Sequence, residues 1–223
     1  MTGLLTALQQ ADSAFPSGSF AFSNGIEGLA SMCGRLDRGQ LATIVTAVLR
    51  HRWASADRVA LVHAYRAGDD LAAIGAIDDA LEAATLTEPL RTGSKRNGGA
   101  LLAAHVRLAT PGAARLRAHI EAGHAYGHLQ VVQGFVWRAL GLSEELAVEV
   151  SGYTTAAGLI AAAVRLGRIG AIDAQAVLAS ALTVIAEVVV TPVAPDAGIE
   201  SFTPWLDSAA ARHARASLRL FVN

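Results

Sequence analysis

The chain has 223 residues, of which 52% are apolar and only 17% charged, with a net charge of −1, a pI near 6.7 and a mean hydropathy of +0.39. That length suits one domain with a sizeable core, the charge balance offers no basic run for nucleic acid, and the single Cys33 excludes an intrachain disulfide or a multi-cysteine metal site. The longest apolar run, Val177 to Val193, covers 17 residues and contains Glu187. A membrane span wants about 20 uninterrupted apolar residues, so this run reads as a buried helix. No Lys or Arg precedes Arg35, so the basic start of a signal peptide is missing. The expectation is a cytoplasmic protein, without membrane or nucleic-acid partners, that hides apolar surface against itself or other proteins.

The Ala-rich composition, with few β-branched alternations, makes helix the default along the chain. Leu4 to Gln10 is a short helix, and Ile26 to Cys33 a second that ends at Gly34. Arg38 to Ala54 carries Leu41, Ile44, Val45, Val48 and Leu49 at helical spacing. Asp57 reads as the cap of a helix through Arg66, and Asp70 as the start of another through Ala83. Thr87 to Leu108 is interrupted by Gly93, Asn97, Gly98 and Gly99. Ala113 to Leu140 contains Gly123, Gly127 and Gly134, which permit close packing or a break. Ser143, followed by Glu144 and Glu145, opens a helix to about Leu166, and Asp173 opens one to about Val190. Thr191 to Thr203 is a Pro- and Gly-containing loop, and Pro204 fits the first turn of a last helix. The chain ends in an apolar tail, Leu218 to Asn223. The prediction is an all-α, single-domain bundle of roughly ten helices, with a flexible N-terminus and a partner-dependent segment over 191–223.

The stretch Ala11 to Gly28 stands out. It holds Phe15, Phe20 and Phe22, three of the six Phe residues, together with Pro16, Gly18, Gly25 and Gly28. A linker has no use for so much aromatic area, and a helix does not carry Pro and Gly at this density. Pro16-Ser17-Gly18 suits a turn, and Ser23 or Asn24 can cap the helix that carries Glu27 in its first turn. The stretch lacks His, Cys or Lys, so it reads as a binding surface, or as a loop whose Phe residues plug the core.

Chemistry-bearing patterns are sparse. Glu121, His124 and His128 fall at i, i+3 and i+7, one face of a continuous helix, where Ni²⁺ or Zn²⁺ would accept them; a solvated stripe or core-bonded histidines are the bland alternative. No P-loop surrounds the only lysine, Lys95, and no nucleophile elbow is present. Glu88 and Arg91, at i and i+3, have the spacing of a helix-surface ion pair. Arg165 is the only charge between Glu149 and Arg168, which suits either a snorkelling helix end or an interface arginine.

Four segments together resemble the UreF family of urease accessory proteins. They are Leu4-Leu5, Leu8-Gln9 and Asp12-Ser13 with Phe15-Pro16-x-Gly18-x-Phe20-x-x-Ser23-x-Gly25-x-Glu27; Glu88-x-x-Arg91-x-x-Ser94 followed by Gly99-x-Leu101-Leu102; His128 and Gly134 with Thr155-Ala156-Ala157 and Ala162-Ala163-Val164-Arg165-Leu166-Gly167; and His213-x5-Arg219-Leu220-Phe221. The matches span nearly the whole chain in order, although the final Val222-Asn223 departs from a Ser-ending tail. The resemblance implies an all-α homodimer that has no catalysis or cofactor of its own. It would bridge the UreD (UreH) scaffold and the GTPase UreG and regulate GTP-dependent nickel insertion into apo-urease. On this reading the partner-binding residues are Phe15, Pro16, Gly18, Phe20, Ser23, Glu27, Arg165, His213, Arg219, Leu220 and Phe221. The alternatives are a small helical metal carrier using Glu121, His124 and His128, and a membrane-peripheral helical protein.

Overall fold

A computed structural model describes residues 3–18, 22–34, 36–213 and 221. Among the described residues the chain is all-α, with eleven α-helices and one π-helical segment. The helices are α1 (Gly3–Ala11), α2 (Ile26–Cys33), α3 (Arg38–Val48), α4 (Arg58–Ala67), α5 (Leu71–Ala84), α6 (Glu88–Arg107), α7 (Ala113–Glu121), α8 (Leu129–Ala139), α9 (Glu144–Arg165), α10 (Ala171–Val189) and α11 (Pro204–His213). The π-helical segment, Leu49–Asp57, joins α3 to α4. Phe20, Arg219 and Leu220, singled out from the sequence, lie outside the described residues.

Several helix starts follow from local hydrogen bonding. Asp37 caps α3 in a reciprocal box with Gln40, Asp70 accepts from the N–H groups of Ala72 and Ala73, and Ser143 accepts from that of Leu146. Other boundaries correct the sequence reading. Asp57 caps nothing: its backbone is helical, and α3, the π segment and α4 run on without a stop. Asp57 is instead buried beside Arg52, with Nε 3.4 Å from Oδ2. The helix expected to open at Asp173 starts at Ala171, after Gly170. The cap of α2 is Gly25, at φ +89°, rather than the side chain of Ser23 or Asn24. α6 continues through Gly93, Gly98 and Gly99, whereas 113–140 takes both options its glycines offered, a break between α7 and α8 and close packing at Gly134.

The core forms where α4 packs against α8, α5 and α9, and α9 in turn against α10, α1, α2 and α3. Trp53, Trp137, Leu41, Leu61 and Leu159 are among its fully buried members. The α4–α8 crossing is close because α8 presents Gly134, where a Cβ would lie 2.3 Å from the Leu61 carbonyl oxygen of α4. The loop 191–203 lies along the π segment. Phe202 N–H donates to His51 O at 3.0 Å, Glu200 N–H to Ser55 O at 2.9 Å, and Ser55 Oγ returns a bond to Glu200 O at 2.7 Å. Arg58 Nη1 also donates to the carbonyls of Val188 and Thr191.

A buried polar knot ties α1 to this core. Gln10 Oε1 accepts from Trp137 Nε1 at 3.0 Å and sits 3.1 Å from His105 Nε2. An amide oxygen only accepts, so His105 carries its proton on Nε2. Nδ1 then accepts from the Thr110 hydroxyl at 2.9 Å. Both nitrogens are used by the neutral ring, and burial pushes the His105 pKa down to about 4.

Two predictions follow from this packing. Gly134→Ala should destabilise the chain by about 1–3 kcal/mol, because the Leu61 backbone cannot yield as a side chain would. Gly99→Ala, with nothing within 4 Å of a built Cβ on exposed helix, should stabilise by about 0.5–1 kcal/mol. Urea denaturation measures both, and the reverse order would refute the crossing geometry. For His105, the unfolded chain binds a proton near pH 6.5 that the folded chain refuses until about 4. Its contribution is therefore complete above pH 6.5 and disappears as pH falls toward 4, a loss of up to about 3 kcal/mol. His105→Gln should flatten that part of the stability–pH curve; parallel curves would remove His105 as its cause.

Candidate functional site

Four of the residues singled out from the sequence converge although they span the chain. Glu27 lies in the first turn of α2, where the helix dipole favours a carboxylate. Glu27 is only 6% exposed, and its carboxylate is engaged within the chain. His213, in the last turn of α11, places Nε2 2.9 Å from Glu27 Oε2, a close polar contact without hydrogen-bond alignment. The backbone N–H of Phe221 donates to the same oxygen at 3.2 Å. Phe221 is buried, and its ring lies 4.3 Å beneath the guanidinium of Arg165 at the end of α9. α11 can sit this close because α2 carries Gly28, where a Cβ would come within 2.4 Å of the Ala209 carbonyl oxygen. A small cavity lined by Phe22, Gly28, Leu90, Gly93 and His213 lies beside the cluster.

The remaining candidates in the N-terminal stretch lie elsewhere or play other parts. Ser23 is fully buried, and its carbonyl accepts from Ile26 N–H at 3.1 Å. Phe15 is half-buried, with its ring 5.5 Å from that of His105. Pro16 and Gly18 are exposed, and Gly18 lies against Ala100 of α6 at φ +74°.

A second cluster surrounds His128. Asp78 of α5 is fully buried and accepts three consecutive backbone N–H groups: Tyr126 at 2.8 Å, Gly127 at 2.6 Å and His128 at 3.2 Å. His128 Nε2 is 2.7 Å from Glu82, which also receives Lys95 Nζ at 3.1 Å and Arg91 Nε at 3.3 Å. His128 Nδ1 is 3.0 Å from Ser94 Oγ, which accepts from Leu129 N–H at 3.2 Å. Burial drives the Asp78 carboxyl upward against the pull of His128 and the three amides. It also drives the His128 imidazole downward against Asp78 and Glu82. Glu82 moves the other way: burial raises its carboxyl, but Lys95 and His128 outweigh that and hold it below the ordinary range.

This cluster corrects two expectations. Arg91 pairs with Glu82 and donates to the carbonyls of Thr85 and Leu86, while Glu88 accepts from Thr92; no Glu88–Arg91 pair forms among these bonds. Glu121, His124 and His128 do not share a helix face. α7 ends at Glu121, the chain turns through 122–128, and His128 caps α8 inside the Asp78–Glu82 cluster. Glu121 is an exposed partner of Arg117, and the His124 ring lies 5.2 Å from that of His119. Among the described residues no group of three or more His, Cys, Asp or Glu side chains could hold a metal ion. Sequence reading missed Asp78 and Glu82, whose partners at 126–128 lie 46–50 positions away. Ser94 appeared only among the family matches, and His128 there and as a metal-ligand candidate with Glu121 and His124.

The UreF family model matches residues 36–182. The chain is 32% identical to "Urease accessory protein UreF 1" of Brucella melitensis biotype 1, over all of this chain and 94% of the relative. It is 32% identical to the UreF protein of Trichodesmium erythraeum, over 98% of this chain and 96% of that one. It is 28% identical to that of Bacillus sp. (strain TB-90), over the full length of both. With the family model covering most of the all-α bundle and relatives matching from end to end, the chain belongs to the UreF family.

Proposed function

We propose that this chain is a non-catalytic adaptor of urease maturation. It bridges the UreD (UreH) scaffold and the GTPase UreG, acts in the cytoplasm, and regulates GTP-dependent insertion of nickel into apo-urease. The family, whose relatives are named urease accessory proteins, supports the role in maturation. The observation that carries the finer reading is the Glu27–His213–Phe221–Arg165 cluster. Residues from both ends of the chain meet in it through a hydrogen bond, an imidazole–carboxylate contact and a cation–π contact. Each is a contact that a partner's backbone, cation or aromatic ring can replace at similar energy. The C-terminal segment is thus fastened by exchangeable bonds, which suits a tail that a scaffold protein captures.

The adaptor is read as a homodimer. α10 offers the surface: Ile172 and Val190 are 85% and 80% exposed, with Leu182, Ala176, Ala179 and Ala186 exposed between them. Its two acids, Asp173 and Glu187, are neutralised within the chain by Arg38 and Arg50. α9 and α10 are long and apolar enough to cross a membrane, but small side chains along one exposed stripe also let two helices approach closely. Symmetric dimers are the commonest way to cover such a stripe.

Glu27→Gln combined with Phe221→Ala should leave helicity unchanged and reduce urease activation at least about tenfold in cells carrying the other accessory genes, the scale of losing one to two contacts. Deleting 214–223 should abolish capture by the scaffold protein. Full activation by the double variant, or a truncated chain that unfolds, would overturn the tail reading. Ala179→Arg should convert the dimer to a monomer by light scattering at micromolar concentration. A wild-type monomer in the same measurement would end the dimer proposal.

A further inference from the structure

α7 ends in a Schellman motif. Gly123 occupies the left-handed position at φ +79°, its N–H donates to Ile120 O at 2.9 Å, and His124 N–H reaches back to His119 O at 3.2 Å. This motif brings together the side chains at the two positions flanking the turn, here 119 and 124, and those positions usually hold a pair of apolar residues. In this chain both are histidine. Their rings lie 5.2 Å apart, at an interplanar angle of 35°. The neighbouring α5 makes room for them: a Cβ at Gly75 would come within 2.6 Å of His124 O and 3.7 Å of His119 Nε2.

Two polar rings where apolar contact is the rule need a reason. His119 Nε2 is buried and makes no hydrogen bond. His124 is exposed, so its ring can turn about its own torsions to present either nitrogen. With metal–nitrogen bonds of about 2.0 Å, two imidazoles flanking one ion at a tetrahedral angle place their ring centres about 5 Å apart. The observed spacing matches. Neutral imidazoles suit borderline first-row divalent cations such as Ni²⁺ and Zn²⁺, and not Mg²⁺ or Ca²⁺, which take oxygen. No third protein ligand is at hand among the described residues, so water or an incoming ligand completes the coordination. The two backbone hydrogen bonds of the turn hold the two Cα positions close, so little chain rearrangement is needed when the ion arrives.

We infer that His119 and His124 form an open two-histidine site for a first-row divalent cation at the C-terminus of α7. The site is independent of Glu121 and His128, whose side chains are engaged elsewhere. The test is calorimetric titration of the untagged full-length chain with ZnCl₂ and NiCl₂, alongside His119→Leu, His124→Leu and the double variant. Leucine restores the apolar contact the motif prefers, so the variants should keep wild-type helicity and thermal unfolding. The wild type should bind one ion per chain. Each single variant should weaken binding at least about tenfold, the scale of losing a supporting group in a metal site, and the double variant should lose that site. A His51→Gln control should leave binding unchanged. Binding undiminished in the double variant, or no binding by the wild type, overturns the assignment.

Discussion

Asp78 lies at zero exposure on α5, and its carboxylate takes the amides of Tyr126, Gly127 and His128 in succession. A carboxylate buried without partners would neutralise or unfold its surroundings, so these three bonds fix the path of the chain between α7 and α8. Once the path is fixed, His128 enters the core at the start of α8 and meets Glu82 and Ser94. α8 then runs across α4 with Gly134 at the crossing. The turn that ends α7 must also stay short, which sets His119 against His124. One buried acid thereby orients two helices and both histidine clusters.

The two ends of the chain are held by a different kind of contact. α1 is tied down through Gln10, whose oxygen serves both Trp137 and His105 in a fully buried knot. The C-terminal side is fastened by Glu27, shared between His213 and the Phe221 amide. Knots of the first kind are strong because the Gln10 oxygen, the indole N–H and both imidazole nitrogens are paired and shielded from water. The second rests on single contacts around a cavity, so a partner with the same chemistry can compete. This contrast in fastening is the physical reason to place recognition at the C-terminal cluster and not at α1.

Much of the fold could be read locally. Asp37, Asp70 and Ser143 set helix starts through their own neighbours, and those starts stand. The readings that failed are those in which distant contacts overrule local preference. Asp57 has a capping side chain, but the π segment carries the helix past it and Arg52 claims its carboxylate. Gly93, Gly98 and Gly99 look like breakers, yet α6 continues: at Gly98 a Cβ would come within 2.1 Å of the Gly127 carbonyl oxygen, so the glycine serves an approach. Gly123 and Gly127 have the same composition signal and do break the helix, because both sit at φ +79°. Sequence spacing cannot separate these cases. The convergence of Glu27, Arg165, His213 and Phe221 was likewise invisible to spacing; it was accessible only as family matches at opposite ends of the chain. The His119/His124 pair was locally legible in principle, since a glycine between two residues five apart near a helix end is the signature of the motif.

The π segment shows how a local irregularity becomes a tertiary requirement. It places Arg52 and Asp57 inside the bundle, where Asp207 of α11 also lies buried, and burial pushes both carboxyls upward against the nearby Arg52 charge. The same segment presents the His51 and Ser55 carbonyls to the 191–203 loop that leads into α11. α11 is therefore addressed twice from one segment, by backbone hydrogen bonds on its approach and by charge in its first turns. Its far end then meets Glu27 through His213. A straight α-helix from Arg38 to Ala67 would rotate every residue after Leu49, separating Arg52 from Asp57 and withdrawing the carbonyls from the loop. The irregular turn is thus what lets a helix late in the sequence reach the start of α2, and the C-terminal cluster exists only because that reach is made.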